Sequence, residues 1–75
     1  MEIKVLGTGC KKCRELEENV HIAIQESGVS AIVEKVDDIR EIMKYKVMNT
    51  PALVIDDKVV STGKLLSVKD LKKML

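Results

Sequence analysis

Gly7-Thr8-Gly9-Cys10-Lys11-Lys12-Cys13 holds both cysteines of this chain, between a strand-like run and a helical pattern. A cysteine at the start of a helix lies near unpaired backbone N–H groups and the positive end of the helix dipole. Both favour the thiolate, which is the nucleophilic and metal-binding form of cysteine. The stretch therefore predicts a reactive cysteine pair, open to redox, metal-binding or structural interpretations.

The composition predicts one small domain, residues 1–75, with an aliphatic core. Apolar residues make up 45% of the chain and aromatic residues only 1%. A chain of 75 residues has room for a single hydrophobic core. Thirteen basic residues against twelve acidic ones give a net charge of +1. We therefore expect neither a nucleic-acid-binding surface nor a polybasic membrane anchor.

The sequence also predicts a compartment. No apolar run approaches the roughly 20 residues of a membrane-spanning helix, and residues 1–4 lack the apolar segment of a secretory signal. We therefore expect a cytoplasmic location, where thiols stay reduced. A structural disulfide that closes a two-residue gap would stabilise the fold little, which favours a redox or metal-binding role for the pair.

Alternating polar and apolar residues predict a strand over residues 2–6, and the spacing from residue 11 to about residue 27 predicts a helix. Cys13 begins the predicted buried face of this helix, which continues at spacings of three and four with Leu16, Val20, Ala23 (with Ile24) and Ser27. Gly28 is expected to end the helix as its C-cap. In this register Cys13 lies on the buried face and Cys10 lies at the exposed tip.

The rest of the chain predicts strands over residues 31–36, 52–55 and 58–61. It also predicts helices that open with capping boxes at Ser67 and at Asp38, whose reciprocal partner is Glu41. The element order is βαβαββα. Helical connections predict parallel pairing of the first three strands, and the short turn between the last two predicts an antiparallel hairpin. The expected fold is α/β, with a four-stranded mixed sheet and helices on both faces.

Two motifs and this element order resemble a known family. The Cys-x-x-Cys pair follows the first strand, and Thr50-Pro51 precedes the third. Together they resemble the thioredoxin fold in its minimal, glutaredoxin-sized form from archaea and bacteria, over essentially the whole chain. The resemblance implies that Pro51 follows a cis peptide bond and faces the cysteines, and that Thr50 offers its backbone to the substrate.

The chain departs from the family pattern in three places. The motif reads Gly-Cys-Lys-Lys-Cys rather than Trp-Cys-Gly-Pro-Cys or Cys-Pro-Tyr-Cys. Lys4 occupies the region where larger thioredoxins carry a buried acid. Residues 61–64 hold one glycine and no acid, whereas glutaredoxins have two glycines and an aspartate that help to hold glutathione. The resemblance therefore does not transfer a redox potential, a partner or glutathione dependence.

The resemblance implies thiol–disulfide exchange, in which Cys10 attacks as the thiolate and Cys13 resolves the mixed disulfide. The helix N-terminus, Lys11, Lys12 and the Cys13 thiol are expected to lower the Cys10 pKa below the free-cysteine value of about 8.5. We expect no cofactor beyond the redox-active Cys10–Cys13 disulfide. The implied partners are disulfide-containing proteins and an electron-donating reductase that the sequence does not identify, and a monomer is expected.

Two other functions remain as alternatives. The cysteine pair could bind Cu(I) or zinc, or Cys10 could carry sulfur as a persulfide. Copper chaperones of similar length have the order βαββαβ, with a methionine at the position of Thr8 here. A closed zinc site takes four ligands, and the chain offers two cysteines and His21, eleven residues after Cys10. No metal is therefore expected.

Other side chains carry simpler expectations. His21 is expected on the surface. Tyr45 is expected to be partly buried beside the segment that leads to Pro51, residues 47–51 (the proline loop). Three methionines are expected to fill gaps in the core: Met43, Met48 and Met74. Basic residues could form a rim around the cysteines or an ordinary solvated surface: Lys11, Lys12, Arg14, Lys46 and Lys64.

Overall fold

A computed structural model describes residues 1–9 and 11–75 of the chain. The described residues form strands and helices in the predicted order βαβαββα. These are β1 (Glu2–Leu6), α1 (Lys11–Ser27), β2 (Ile32–Val36), α2 (Ile39–Lys44), β3 (Ala52–Ile55), β4 (Lys58–Thr62) and α3 (Val68–Met74). The predicted α/β fold, a four-stranded mixed sheet with helices, is confirmed.

The strands lie in the order β2-β1-β3-β4, and the prediction that the first three are parallel is wrong for β3. Strand β1 pairs in parallel with β2 but antiparallel with β3. A parallel β3 would have to begin at the opposite end of the sheet, about 16 Å away across a five-residue strand. Helix α2 has only six residues and advances the chain by about 9 Å. Helix α2 alone therefore does not run the length of the sheet as a parallel crossover helix would. The register pairs Ala52 with Leu6, so β3 begins at the end at which β2 stops.

Alternation along the central strands builds one apolar cluster on each face of the sheet. Ile3 and Val5 of β1 point to the face covered by α1 and α3, and Leu6 points to the face covered by α2. The first cluster is the larger: Ile3, Val5, Leu16, Val20, Ala23, Leu53 and Leu71. The second is smaller: Leu6, Ile42, Val47, Ala52 and Val54. Helices therefore cover both faces, as predicted.

Helix α1 has the predicted bounds. Four residues of its predicted buried face are buried, Cys13, Leu16, Val20 and Ala23, and the other two, Ile24 and Ser27, are half-buried. Gly28 follows it with a φ of +69°, and its N–H donates to the carbonyl of Ile24 at 3.0 Å. This left-handed conformation suits glycine and confirms the predicted C-cap.

The predicted N-caps of the two shorter helices are also confirmed. The Asp38 side chain accepts from the N–H of Arg40 at 2.8 Å, and Ser67 Oγ accepts from the N–H of Asp70 at 3.2 Å. Glu41, the predicted reciprocal partner of Asp38, instead contacts Lys44 at 3.0 Å.

The prediction that three methionines fill the core is wrong. Met48 is 95% exposed, Met43 65% and Met74 39%. Helix α2 meets the sheet along a narrow stripe, so Ile42 is its buried residue and its other apolar side chains face outward. No helix in the described part of the chain is long and apolar enough to span a membrane.

Candidate functional site

The candidate site lies where four strand ends meet at one end of the sheet. The registers pair Leu6 with Val36 of β2 and with Ala52 of β3, and Ala52 with Thr62 of β4. The residues that follow β1, precede β3 and follow β4 therefore converge there. The sequence motifs around both cysteines and around Thr50-Pro51 belong to these segments.

Gly7 directly follows β1 and is the first residue of the segment that leads to Cys13. It is buried, and its N–H donates to the carbonyl of Val36 at 2.9 Å, which ties the end of β1 to the end of β2. Helix α1 begins at Lys11, and the side chains of Lys11 and Lys12 are exposed. Cys10 lies outside the described residues.

Cys13 lies in the first turn of α1 and is 1% exposed, which confirms its predicted place on the buried face. Its sulfur is disulfide-bonded in this structure. The side chain packs directly on Gly7: a Cβ added at Gly7 would overlap Cys13 Sγ and would lie 3.0 Å from Cys13 Cβ. Cys13 is therefore held between its own helix and the end of β1.

The Thr50–Pro51 peptide bond is cis, as the resemblance implied. Pro51 is buried and Thr50 is exposed. Because Ala52 is opposite Leu6, this segment lies beside the end of β1. The structure therefore brings the proline loop and the Gly7–Cys13 contact to the same end of the sheet.

Gly63, the residue after β4, contacts the proline loop from the side opposite β1. The N–H of Gly63 donates to the carbonyl of Pro51 at 2.8 Å. Gly63 has a φ of +66°, and a Cβ there would lie 3.1 Å from Cβ of Asn49. The single glycine of residues 61–64 is thus needed for both its conformation and its close contact with the loop.

Lys4 points to the opposite face of the sheet from Cys13, toward α2. Its Nζ donates to the Tyr45 hydroxyl at 2.9 Å, and both residues are half-buried. This hydrogen bond raises the Lys4 pKa above its ordinary value of 10.5, with smaller contributions from Glu34 and Asp57. The region that carries an acid in larger thioredoxins therefore holds a cation bound to a phenol, and Tyr45 is partly buried as predicted.

The predicted basic residues are all exposed. Lys11 and Lys12 open α1, Lys46 precedes the proline loop, and Lys64 follows Gly63. None of these forms an ion pair among the residues that the structure describes. Lys46 and Lys64 belong to the segments that adjoin β3 and β4, whereas the exposed Asp37 and Asp38 follow β2 at the other edge of the sheet.

The described residues offer little to a metal ion. They contain no group of three or more histidine, cysteine, aspartate or glutamate side chains placed to hold one. His21 is exposed on α1, as predicted.

The contact between Gly7 and Cys13 was not predicted from the sequence. The signal was present in the alternation of β1, because Ile3 and Val5 place position 7 on the same face. Cys13 is the first of the buried residues with which α1 packs against that face of the sheet. Together the two patterns place position 7 opposite the buried Cys13 and predict a residue without a side chain there.

Comparison with known proteins shows which family this chain resembles. A family model described as a thioredoxin domain matches residues 1–75. A protein of Methanocaldococcus jannaschii named thioredoxin is 42% identical over 73 residues, which cover 97% of this chain and 84% of that protein. A thioredoxin of Methanothermobacter thermautotrophicus is 33% identical over 75 residues, which cover 100% of this chain and 97% of that protein. This chain belongs to the thioredoxin family.

Proposed function

We propose that this protein is a small dithiol–disulfide oxidoreductase that reduces disulfides in other proteins. The observation that carries the proposal is the position of Cys13, buried and disulfide-bonded in the first turn of α1, three residues after Cys10. Membership of the thioredoxin family supports a thiol–disulfide oxidoreductase role. Cys10 is the attacking residue in this proposal, and Cys13 is the resolving one.

The exchange takes place in two steps. The Cys10 thiolate attacks one sulfur of the substrate disulfide, so a bond to Cys10 forms, the substrate S–S bond breaks, and one substrate thiolate leaves and takes a proton from water. Cys13, as the thiolate, then attacks the Cys10 sulfur and releases the second substrate thiolate. Two electrons pass from the dithiol to the substrate, and the Cys10–Cys13 disulfide remains.

Two features support attack by Cys10. Helix α1 begins at the next residue and has 17 residues, so its N-terminal N–H groups and dipole favour a thiolate there. The exposed Lys11 and Lys12 add positive charge nearby, weakened by solvent. Cys10 is therefore proposed to titrate below a free thiol.

Thr50 and Pro51 are proposed to receive the substrate chain. Thr50 is exposed at the end of the sheet where Gly7 meets Cys13, and its backbone can hydrogen-bond an extended peptide. Pro51 is buried beneath it and held by the N–H of Gly63. No cofactor beyond the cysteine pair enters the proposal.

A reductase must restore the dithiol after each turnover by supplying two electrons. We place this cycle in the cytoplasm, where a reduced thiol pool suits a reductant, and propose that the protein acts as a monomer.

The test replaces each cysteine with serine and follows the reaction with a disulfide-containing protein by mass spectrometry. Cys10→Ser should abolish exchange, because the attacking thiolate is gone. Cys13→Ser should accumulate a mixed disulfide between Cys10 and the substrate, because resolution is lost.

Equal behaviour of the two variants would contradict the division of roles. Metal analysis of protein purified without chelator is the companion measurement. Stoichiometric copper together with a dithiol that does not cleave disulfides would favour metal binding instead.

A further inference from the structure

Gly7 is glycine for a reason that its backbone does not explain. Among the described glycines, Gly9, Gly28 and Gly63 have a positive φ, and Gly7 does not. Residues other than glycine readily adopt a backbone conformation of this kind. What excludes a side chain is space, since a Cβ at Gly7 would overlap Cys13 Sγ.

The neighbouring atoms cannot easily give way. The added Cβ would also lie 3.0 Å from Cys13 Cβ, so rotating the sulfur alone does not clear the space. Gly7 is held by its N–H bond to Val36, and Cys13 is 1% exposed in a helix packed on the larger apolar cluster. A methyl group at position 7 must therefore displace the Cys13 side chain together with the first turn of α1.

We propose that Gly7 is the positioning residue of the resolving cysteine: its bare Cα sets how deep the Cys13 sulfur lies and hence how it reaches the mixed disulfide. This inference rests on the proposed function. Resolution is an attack within one molecule, and its rate depends on holding the two sulfurs in line and close. The first attack, by Cys10, does not use the Cys13 sulfur as its nucleophile.

The two steps can be timed separately with a symmetrical nitroaryl disulfide and the fully reduced protein. Attack by Cys10 releases one coloured thiolate and leaves a Cys10–aryl mixed disulfide. Attack by Cys13 on the Cys10 sulfur releases the second coloured thiolate and forms the protein disulfide. The second phase is intramolecular, so its rate does not depend on reagent concentration.

Gly7→Ala should leave the first phase within about twofold of the wild type and slow the second phase on the order of 100-fold, the effect of about 1 Å of misplacement. Gly28→Ala is the matched control. It adds the same methyl group at a φ of +69°, where nothing lies within 4 Å of the new Cβ. It should lower stability and leave both phases unchanged.

A folded Gly7→Ala protein with a wild-type second phase would overturn the inference while leaving the proposed function intact. A wild-type protein that releases no second coloured thiolate would overturn the proposed function, and the inference with it. The two failures are thus distinct.

A stability cycle covers the case in which Gly7→Ala does not fold. Cys13→Ala removes the sulfur that the new methyl group would overlap, so Gly7→Ala should cost less stability in that background than in the wild type. Thermal unfolding of the four reduced proteins measures this coupling; if Gly7→Ala has no transition, the double variant Gly7→Ala/Cys13→Ala should recover one. Equal costs in both backgrounds would show that the Cys13 sulfur does not require glycine at position 7.

Discussion

A hydrogen bond between two side chains joins β1 to the residue that follows α2. Lys4 Nζ donates to the Tyr45 hydroxyl at 2.9 Å, and the ammonium lies 5.6 Å from the centre of the ring. Tyr45 also packs against the smaller apolar cluster, so the contact links that cluster to β1. A lysine in mid-strand on a covered face is stable here because its charged end reaches a hydroxyl acceptor and solvent.

Replacing Tyr45 by phenylalanine should lower the Lys4 pKa toward 10.5, because the hydroxyl that favours the ammonium is removed. A raised pKa in the folded state stabilises the protein below the unfolded pKa, and this stabilisation disappears as the pH rises through the folded value. The stability gap between wild type and Tyr45→Phe should therefore be constant from neutral pH to about pH 10 and shrink above it.

NMR titration of the Lys4 side chain and urea unfolding at several pH values measure these two effects. Lys4→Met is the control, since Tyr45→Phe should cost little further stability when the ammonium is absent. A Lys4 pKa that is the same in wild type and Tyr45→Phe would show that the hydroxyl does not bind the ammonium in solution.

Among the secondary-structure elements, the β3–β4 hairpin turns through two non-glycine residues in the left-handed conformation. Its turn residues, Asp56 and Asp57, have φ values of +49° and +66°. Two-residue turns of this kind favour glycine at the second position. Asp56 has a separate role, because its carboxylate accepts the N–H of Glu2 at 2.8 Å.

Asp57→Gly should therefore stabilise the protein by about 0.5–1 kcal/mol, since glycine adopts a positive φ without a Cβ penalty. Asp57→Ala is the matched control: it removes the same charge but keeps the Cβ, and it should not stabilise. Urea unfolding of the three proteins gives the comparison. If alanine stabilised as much as glycine, the gain would come from removing charge and not from the backbone.

Local signals predicted most elements of this fold. The bounds of α1, the strand of residues 52–55, and the caps at Gly28, Asp38 and Ser67 all depend on neighbouring residues in sequence, where propensity and capping act. The direction of β3 depends on the end of the sheet to which the connection after β2 leads, which periodicity does not encode. The exposure of Met43 likewise depends on how narrowly α2 meets the sheet, and Met48 lies in the connection between α2 and β3, outside both apolar clusters.

The sequence likewise predicted the features of the candidate site that depend on one element or on the family resemblance, but not those that depend on contact between elements. The burial of Cys13 followed from the helical stripe, and the cis bond at Pro51 followed from the family resemblance. The contact between Gly7 and Cys13 joins two elements, so it emerges only when the strand alternation and the helical stripe are placed on the same face.

The whole molecule has two unequal halves on either side of the sheet. Helices α2 and α3 are alike locally, with six and seven residues, an N-cap and one buried residue each. Helix α3 lies on the larger cluster with α1, and the Asn19 side chain and a Lys72–Glu26 ion pair tie its region to α1. The ion pair of α2 lies within the helix, so it adds no tie to the sheet.

The amides of α2 should therefore exchange with solvent roughly 100-fold faster than those of α3, after correction for intrinsic rates, because α2 can open without exposing the larger cluster. The matched length and capping make α3 the internal control. Hydrogen exchange followed by NMR on the oxidised protein measures the difference. Tyr45→Phe should widen it by removing the hydrogen bond that joins the end of α2 to Lys4. Equal protection of the two helices would mean that the sheet and both its faces open as one cooperative unit.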